Sequence, residues 1–315
     1  MPGTVGIIGA GQVGAAAAYL LATTPGISDV VLVDQDAKRA ASEAADIGHA
    51  AAFNHAADVR AGAYEDLAGA KVIVITAGVS LKPGQTRLQL MQANLGIVDG
   101  IIAAVLKAAP DAVLLFATNP VDVMPALAVR RHGVPPGRAI GTGCALDSAR
   151  FRERLARHLG VAPTAVHAHV LGEHGDSEVL HWSGAHAAGM SLELFAEQMG
   201  RPIGLELRAT MAQDVRTSAY RIKEGKGVSN FGIGGCIARL CRAIVNDEHT
   251  AFTVSTFMEE GVAGIPATCV SLPHILSAAG ASAPLKPVLD EAETEALRAS
   301  AALLASSIED GLRSL

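Results

Sequence analysis

The sequence predicts an α/β protein: a doubly wound parallel sheet followed by a second, mixed α/β half. Three observations carry this. Short, wholly apolar runs, of the kind a strand buried on both faces requires, alternate with helical stretches up to about residue 142. A glycine-rich turn joins the first run to the first helix. Beyond residue 142 the alternation gives way to long helical stretches and two longer, adjoining strand-like segments.

The elements follow in order. "TVGIIGA" is the first buried strand, and a helix runs from Gln12 to about Thr23. "DVVLVD" (29–34) is the second strand, followed by an alanine-rich helix from Ala37 to about His49. "KVIVITA" (71–77) and "AVLLFAT" (112–118) are further strands, with a helix from about Thr86 to Ala109 between them, and "GRAIGTG" (137–143) ends the series. Such alternation places helices on both faces of a parallel sheet. In the second half a helix is expected from about Asp147 to Leu159 and a strand at "AVHAHVLG" (165–172). A long helix follows at roughly 203–226, and another after Phe231. "AFTVSTFME" and "ATCVSLPHIL" then read as paired strands, and a helix from about Val288 to Leu312 closes the chain.

Composition bounds the function. A length of 315 residues suits about two domains, and 50% hydrophobic with 18% charged residues supports large cores and argues against disorder. A net charge of −6 gives no reason to expect nucleic acid or an anionic membrane as partner. No uninterrupted apolar run reaches the roughly 18 residues of a membrane span. "MPGTVGIIGAG" has no basic leader region, so a signal peptide is not expected. Cys144, Cys236, Cys241 and Cys269 form no C-x-x-C pair and read as small buried hydrophobes in a reducing cytoplasm. There is no internal repeat and no low-complexity linker.

"GAGQVG" places Gly9, Gly11 and Gly14 in a G-x-G-x-x-G pattern. Alone the pattern is weak. Here it follows a buried strand, opens a helix, and is followed 20 residues after Gly14 by Asp34 at the end of the second strand. Glycines let the backbone approach a pyrophosphate lying at a helix N-terminus, and a carboxylate accepts from ribose hydroxyls while repelling a 2′-phosphate. The first half therefore reads as a Rossmann domain for NAD rather than NADP, with an ordinary strand-end turn as the lesser reading of Asp34.

Three other segments carry chemistry. "CALDSARFR" puts Asp147 and Arg150 on one helix face, an arrangement that taken alone is most often a surface ion pair. "GEHGDSE" (172–178) holds His174 in a polar turn after a strand, where a solvated histidine is the plain alternative. "ATNPVDV" (117–123) follows a strand at the sheet edge where open α/β folds bind ligands, although Asn119 before a proline also suits a simple turn.

Together, "GAGQVG", "TAG", "KPGQTR", "ATNPVDV", "LDSARFR" and "GEHGDSE" resemble the L-lactate/malate dehydrogenase family of NAD-dependent L-2-hydroxy acid dehydrogenases, in that family's order, at about its spacings and over nearly the whole chain. Among its branches the bacterial L-lactate dehydrogenases are the most similar. The resemblance implies that His174 is the acid/base and that Asp147 fixes its tautomer and raises its pKa. Arg150 would clamp the substrate carboxylate through its planar fork, Arg87 would polarise the carbonyl from a mobile loop, and Asn119 would hydrogen-bond near the reacting oxygen. Gly9, Gly11, Val13, Gly14, Asp34, Tyr64, Thr76, Ala77, Gly78, Thr118, Asn119 and Thr142 match cofactor-lining positions. No metal is implied.

The same resemblance makes "GVSLKPGQTR" (78–87) the active-site lid, with Leu81 facing the substrate side chain. Lactate dehydrogenases usually carry glutamine there and malate dehydrogenases arginine, so Leu81 departs from both. A leucine that packs elsewhere and never meets substrate is the competing reading. Ser229, in "GVSNFG", stands where the family commonly has threonine and would leave a slightly roomier pocket. Arg152 and His167 fall where bacterial lactate dehydrogenases bind fructose 1,6-bisphosphate at a subunit interface. That reading and a ligand-free surface arginine and strand histidine weigh about evenly. His167 and His169 share a strand face, but no third ligand stands nearby, so no metal is expected there.

The expectation is thus a cytoplasmic homotetramer or homodimer with an NAD-binding Rossmann domain over 1–141 and a catalytic domain over 142–315. It would act on pyruvate or a related small apolar 2-oxo acid. The alternatives are an L-2-hydroxyisocaproate-type enzyme for bulkier substrates, then a malate dehydrogenase, and from another class a catalytically idle nucleotide-binding or structural protein on this fold.

Overall fold

A computed structural model of the chain describes residues 3–53, 57–80 and 86–315. The first half holds the parallel sheet that the sequence predicts, with one further strand and one further helix. Strands β1 (Gly3–Ile8), β2 (Ile27–Val33), β3 (Asp58–Ala61), β4 (Val72–Ile75), β5 (Val113–Phe116) and β6 (Ala139–Gly141) pair in parallel in the order β3-β2-β1-β4-β5-β6. The chain crosses over between β3 and β4, so the sheet is doubly wound and its crevice opens beyond the carboxyl ends of β1 and β4. Helices α1 (Gln12–Ala22) and α2 (Ala37–Ala51) lie on one face, with Ala17, Leu21, Ala44 and Ile47 packed against Val30, Leu32 and Val74. Helices α3 (Arg87–Ala108) and α4 (Met124–His132) lie on the other, with Leu95, Ile102 and Leu127 against Ile73, Leu114 and Phe116.

The second half departs from expectation in one major respect. Its paired strands are present as β10 (Thr250–Met258) and β11 (Thr268–Ser277), antiparallel over nine residue pairs. They do not form a sheet of their own. Ser255 of β10 pairs with Gly141 of β6, so these strands and β12 (Gly280–Ala281) extend the first sheet to nine strands. The separate sheet of this half consists of β7 (Val166–Leu171), β8 (Val179–Ala187) and β9 (Met190–Ser191).

Helices α5 (Ala145–Leu159), α6 (Leu192–Gln198), α7 (Leu205–Lys226), α8 (Phe231–Val245) and α9 (Glu291–Arg313) complete the fold. Helix α9 starts three residues later than expected because Asp290 caps it: its carboxylate accepts from the Glu293 N–H at 2.8 Å, and Glu293 accepts in return from the Asp290 N–H at 3.1 Å. Helix α8 presses onto α1, and Gly234 permits the contact, since a Cβ there would stand 3.1 Å from the Ala16 backbone.

Strands β3, β8, β9 and β12 and helices α4 and α6 were not foreseen. "DVRA" is too short and polar to signal a strand, "VLHWSGAHA" carries Ser-Gly at its centre, and a proline opens α4. The membrane expectation also needs correction: Leu88–Ala108 of α3 is, by length and composition, long and apolar enough to cross a bilayer despite Asp99 and Lys107. It serves here as a core helix. Its inward side chains cover the sheet, and Asp99 pairs with Arg131 at 2.9 Å and His132 at 2.7 Å on α4.

Candidate active site

The crevice at the β1/β4 crossover is a cavity of about 410 Å³. Its walls include Gly9, Gly11, Asp34, Tyr64, Thr76, Ala77 and Gly78 from the predicted set, together with Arg39, Ile97 and Ile101. The three glycines differ in their reasons. Gly9 has φ +107°, and a Cβ would meet the Ala77 backbone nitrogen at 2.7 Å. A Cβ on Gly14 would lie 1.9 Å from the Gly9 carbonyl, so it is packing between helix and strand end that excludes a side chain. Nothing lies within 4 Å of a Cβ on Gly11, so no protein contact accounts for glycine there. Gly11 caps α1 without a side-chain hydrogen bond and with no acidic residue in the first turn, which leaves N–H groups and the helix dipole facing the crevice. These features fit a dinucleotide pyrophosphate.

Asp34 both lines the crevice and braces it. Its Oδ2 accepts from the Ala10 N–H at 2.6 Å and its Oδ1 from the Asp36 N–H at 2.9 Å. The turn-forming reading and the ribose reading are therefore compatible, because each carboxylate oxygen has a second lone pair. Thr118 is not on the wall. Its hydroxyl, buried, donates to the Ala77 carbonyl at 2.7 Å and so shapes the wall from behind.

Deeper along the sheet edge two joined cavities, of about 150 and 390 Å³, bring together Val13, Asn119, Arg150, His174 and Ser229. Thr142 lines the smaller and Asp147 the larger. The sequence scatters these residues over five segments, and the fold gathers them on the crevice side of the sheet. The Nδ1 of His174 lies 2.6 Å from Asp147 Oδ2, and Arg150 Nη1 donates to Asp147 Oδ1 at 2.7 Å. Asp147 is 2% exposed. Burial alone would push its pKa up, but the charges of His174 and Arg150 outweigh it and hold the carboxyl below its ordinary range. Conversely, the Asp147 charge dominates at His174 and, against burial, raises the imidazole to about 9. The pair is thus a buried carboxylate and an imidazolium, with proton-donating capacity in the cavity.

Two supports escaped the sequence reading. Asp122 sits in the quoted "ATNPVDV", and its Oδ2 accepts from the backbone N–H of His174 at 2.8 Å, tying the histidine loop to the Asn119–Pro120 loop, whose peptide is cis. Asn94, in mid-helix with no sequence signal, is 2% exposed. It accepts from the Val79 N–H at 2.7 Å and donates to the Asn119 carbonyl at 2.8 Å. Glu178, Arg216, Tyr220 and Lys223 also line the larger cavity unannounced.

Arg87 is the first residue of α3, and Leu81 lies outside the described residues. Arg152 is half-buried with no hydrogen bond or ion pair among the described residues, and burial pushes its pKa down. The sequence argument that no third ligand stands near His167 and His169 is corrected by β7–β8 pairing, which sets His186 opposite His167 and His181 opposite His169. The His167 and His186 rings stack at 4.9 Å. Among the described residues, no group of three side chains could hold a metal ion.

Comparison with known proteins agrees with this geometry. Sequence models of the lactate/malate dehydrogenase family match in two parts, the NAD binding domain at residues 4–141 and the alpha/beta C-terminal domain at 144–315. The L-lactate dehydrogenase of Thermus aquaticus is 52% identical over 300 residues, covering 95% of this chain and 96% of that protein. That of Geotalea daltonii is 45% identical over 308 residues, covering 97% and 98%. Among solved structures, the lactate dehydrogenase MGS-M5 from a deep-sea metagenome superposes with a TM-score of 0.94 at 33% identity, covering 99% of this chain and 100% of that one. The minor L-lactate dehydrogenase of Enterococcus mundtii gives 0.93 at 32%, covering 98% of both.

Proposed function

The chain belongs to the lactate/malate dehydrogenase family, and from that premise we propose the following division of labour in an NAD-dependent L-lactate dehydrogenase. The observation that carries the reading is the His174–Asp147–Arg150 chain of hydrogen bonds, set in a cavity that adjoins the nucleotide crevice. Bound NADH supplies the hydride. With Nδ1 committed to Asp147, His174 holds its second proton at Nε2 and gives it to the oxo oxygen of pyruvate; in lactate oxidation it takes that proton back. Arg150 spends one Nη on Asp147 and keeps the rest of its fork for the substrate carboxylate. Asn119, held by Asn94, donates near the reacting oxygen, and Arg87 polarises the carbonyl.

Substrate choice follows from the walls. Around Arg150 and His174 the smaller cavity offers Val13, Ala117, Val121, Leu146, Ala219 and Ile233, which suit a methyl or short alkyl group rather than a second carboxylate. By the family's register, six residues before Arg87, Leu81 would offer a further apolar side chain to the substrate, and Ser229 would leave room for branched substrates. The test is NADH oxidation with pyruvate, 2-oxobutyrate, 2-oxoisocaproate and oxaloacetate. Preference for oxaloacetate overturns the substrate assignment, and inactivity with all four overturns the reaction.

The finer partner assignments have their own support. Arg152, without an anionic partner among the described residues, and His167 are the groups that would take a sugar bisphosphate such as fructose 1,6-bisphosphate. Burial first, then the Arg152 charge, pushes the neighbouring His169 down to about 4, so it is neutral at physiological pH and adds no charge there. The family suggests a homotetramer or homodimer. Four free cysteines support a cytoplasmic location. The boundary between nucleotide-binding and catalytic domains is set at 141/142, although both share one sheet.

A further inference from the structure

Glu178, just before β8, is 4% exposed, yet its Oε1 has no hydrogen-bond partner. Arg216 on α7 stands beside it but does not pair with the carboxyl: Nη2 donates to the Glu178 backbone carbonyl at 3.2 Å, and the buried Nε has no partner. Both side chains line the larger cavity, and the other charged or titratable groups on its wall are Asp147 and Arg150 from α5, His174 and Asp176 from the loop, and Tyr220 and Lys223 from α7. A structural ion pair would have closed the gap between Glu178 and Arg216. Instead an acid with one buried, unpartnered oxygen is held on the wall of the cavity proposed to take the substrate.

We propose that Glu178 sets the charge of the substrate cavity: neutral, it leaves Arg150 free to take the substrate carboxylate, and ionised, it weakens binding of 2-oxo and 2-hydroxy acids alike. The proposal rests on the lactate dehydrogenase reading and deepens it. An acid without partners in a buried site keeps its proton rather than its charge. Burial, reinforced by Asp147, pushes Glu178 up to about 8, against the opposing charges of His174, Arg216 and Arg150. Near neutrality the inner cavity therefore has Arg150, Arg216 and His174 positive against Asp147 negative, a net positive surplus that favours a carboxylate. Ionised Glu178 halves that surplus and competes with the substrate carboxylate for the two guanidinium groups.

This effect is separable from proton transfer. Titration of His174 acts oppositely on the two directions, because pyruvate needs the imidazolium and lactate the neutral ring. Ionisation of Glu178 acts on the carboxylate that both substrates share. The experiment measures KM for pyruvate and for lactate between pH 7 and pH 9 in the wild type and in Glu178→Gln, which copies the neutral acid. The wild-type-to-variant ratio of KM should grow about tenfold over that range, as expected of a group titrating near 8, and should do so for both substrates. A flat ratio, or one that changes for only one substrate, overturns the proposal. If the variant does not fold, the wild type suffices: its KM for pyruvate should rise about tenfold while the single-turnover reduction rate falls only about twofold, and equal changes overturn the proposal. Failure of the wild type to reduce pyruvate at any pH overturns the lactate dehydrogenase reading, and this proposal with it.

Discussion

The Nδ1 of His174 lies 2.6 Å from Oδ2 of Asp147, a carboxylate 2% exposed whose other oxygen is taken by Arg150. An imidazole so held has one tautomer and one orientation, and its partner cannot turn away. If His174 is the proton donor, as proposed, replacing it with alanine should lower kcat by about 10²–10⁴-fold while NADH binding, read by fluorescence, persists. Asp147→Asn should lose a comparable factor near neutral pH, because the histidine then loses both its charge partner and its fixed tautomer. A His174→Ala protein retaining most of its turnover shows that another group carries the proton.

The same pair fixes a pH profile. Asp147 raises His174 to about 9, above the ordinary 6.5. The single-turnover rate of pyruvate reduction should therefore hold through neutrality and fall as pH rises through about 9. For stability, a pKa raised on folding gives a contribution fully present below about 6.5 and lost as pH rises through about 9. Asp147, held low, acts on the other side: its contribution is present above the ordinary carboxylate range and is lost on acidification. Thermal melts from pH 6 to pH 10 should show Tm declining across the alkaline step in the wild type and less so in His174→Ala.

Elements buried on both faces were legible because nothing else in a chain is so uniformly apolar, and β1, β2, β4 and β5 fall where the sequence places them. What was not legible is where β10 and β11 go. Strand pairing depends on which edge is open, and β6 presents one that local sequence does not advertise. The site divides in the same way. His174, Asp147 and Arg150 stand in motifs recognisable one by one, whereas Asn94 and Arg216 sit inside long helices with ordinary spacing and acquire meaning only from what the fold sets beside them. Asp122 lay in a quoted motif without a role, because a carboxylate bonded to the backbone of a residue 52 positions away leaves no local pattern.

In the proposed reading cofactor choice rests on Asp34, which lines the crevice together with Arg39. The wild type should prefer NADH to NADPH strongly, since a 2′-phosphate meets Asp34 before it can use the guanidinium. Asp34→Ser should narrow the gap by more than loss of repulsion alone, because Arg39 then becomes a phosphate partner. It should also cost stability through the lost bonds to the Ala10 and Asp36 N–H groups. Comparable kcat/KM for the two cofactors in the wild type contradicts the assignment.

The proposed phosphate site at Arg152 and His167 predicts activation. If fructose 1,6-bisphosphate binds at Arg152 and His167, it should lower KM for pyruvate or promote assembly, with a coupling of about 1–3 kcal/mol. Arg152→Gln should abolish the response. Calorimetry showing no heat, together with unchanged kinetics and sedimentation, removes the site.

The last prediction concerns Leu81. The apolar part of the smaller cavity's lining includes Val13, Val121, Leu146, Ala219 and Ile233, and Leu81, which lies outside the described residues, would add no charge if it faces the substrate as proposed. Pyruvate brings a methyl group to that surface. Oxaloacetate brings a carboxylate with no partner there, and an uncompensated buried charge costs several kcal/mol even after relaxation. At about 1.4 kcal/mol per factor of ten, oxaloacetate should be the poorer substrate by on the order of 10²-fold in kcat/KM. An added methylene is worth only about 1–3 kcal/mol in an apolar pocket, so 2-oxobutyrate and 2-oxoisocaproate should retain measurable activity. Leu81→Arg supplies the missing cation and should reverse the order, raising oxaloacetate turnover and depressing that of pyruvate. Measuring kcat/KM for the three acids with both proteins decides it: an unchanged order in Leu81→Arg means that residue 81 does not meet the substrate, and that the apolar walls alone set the preference.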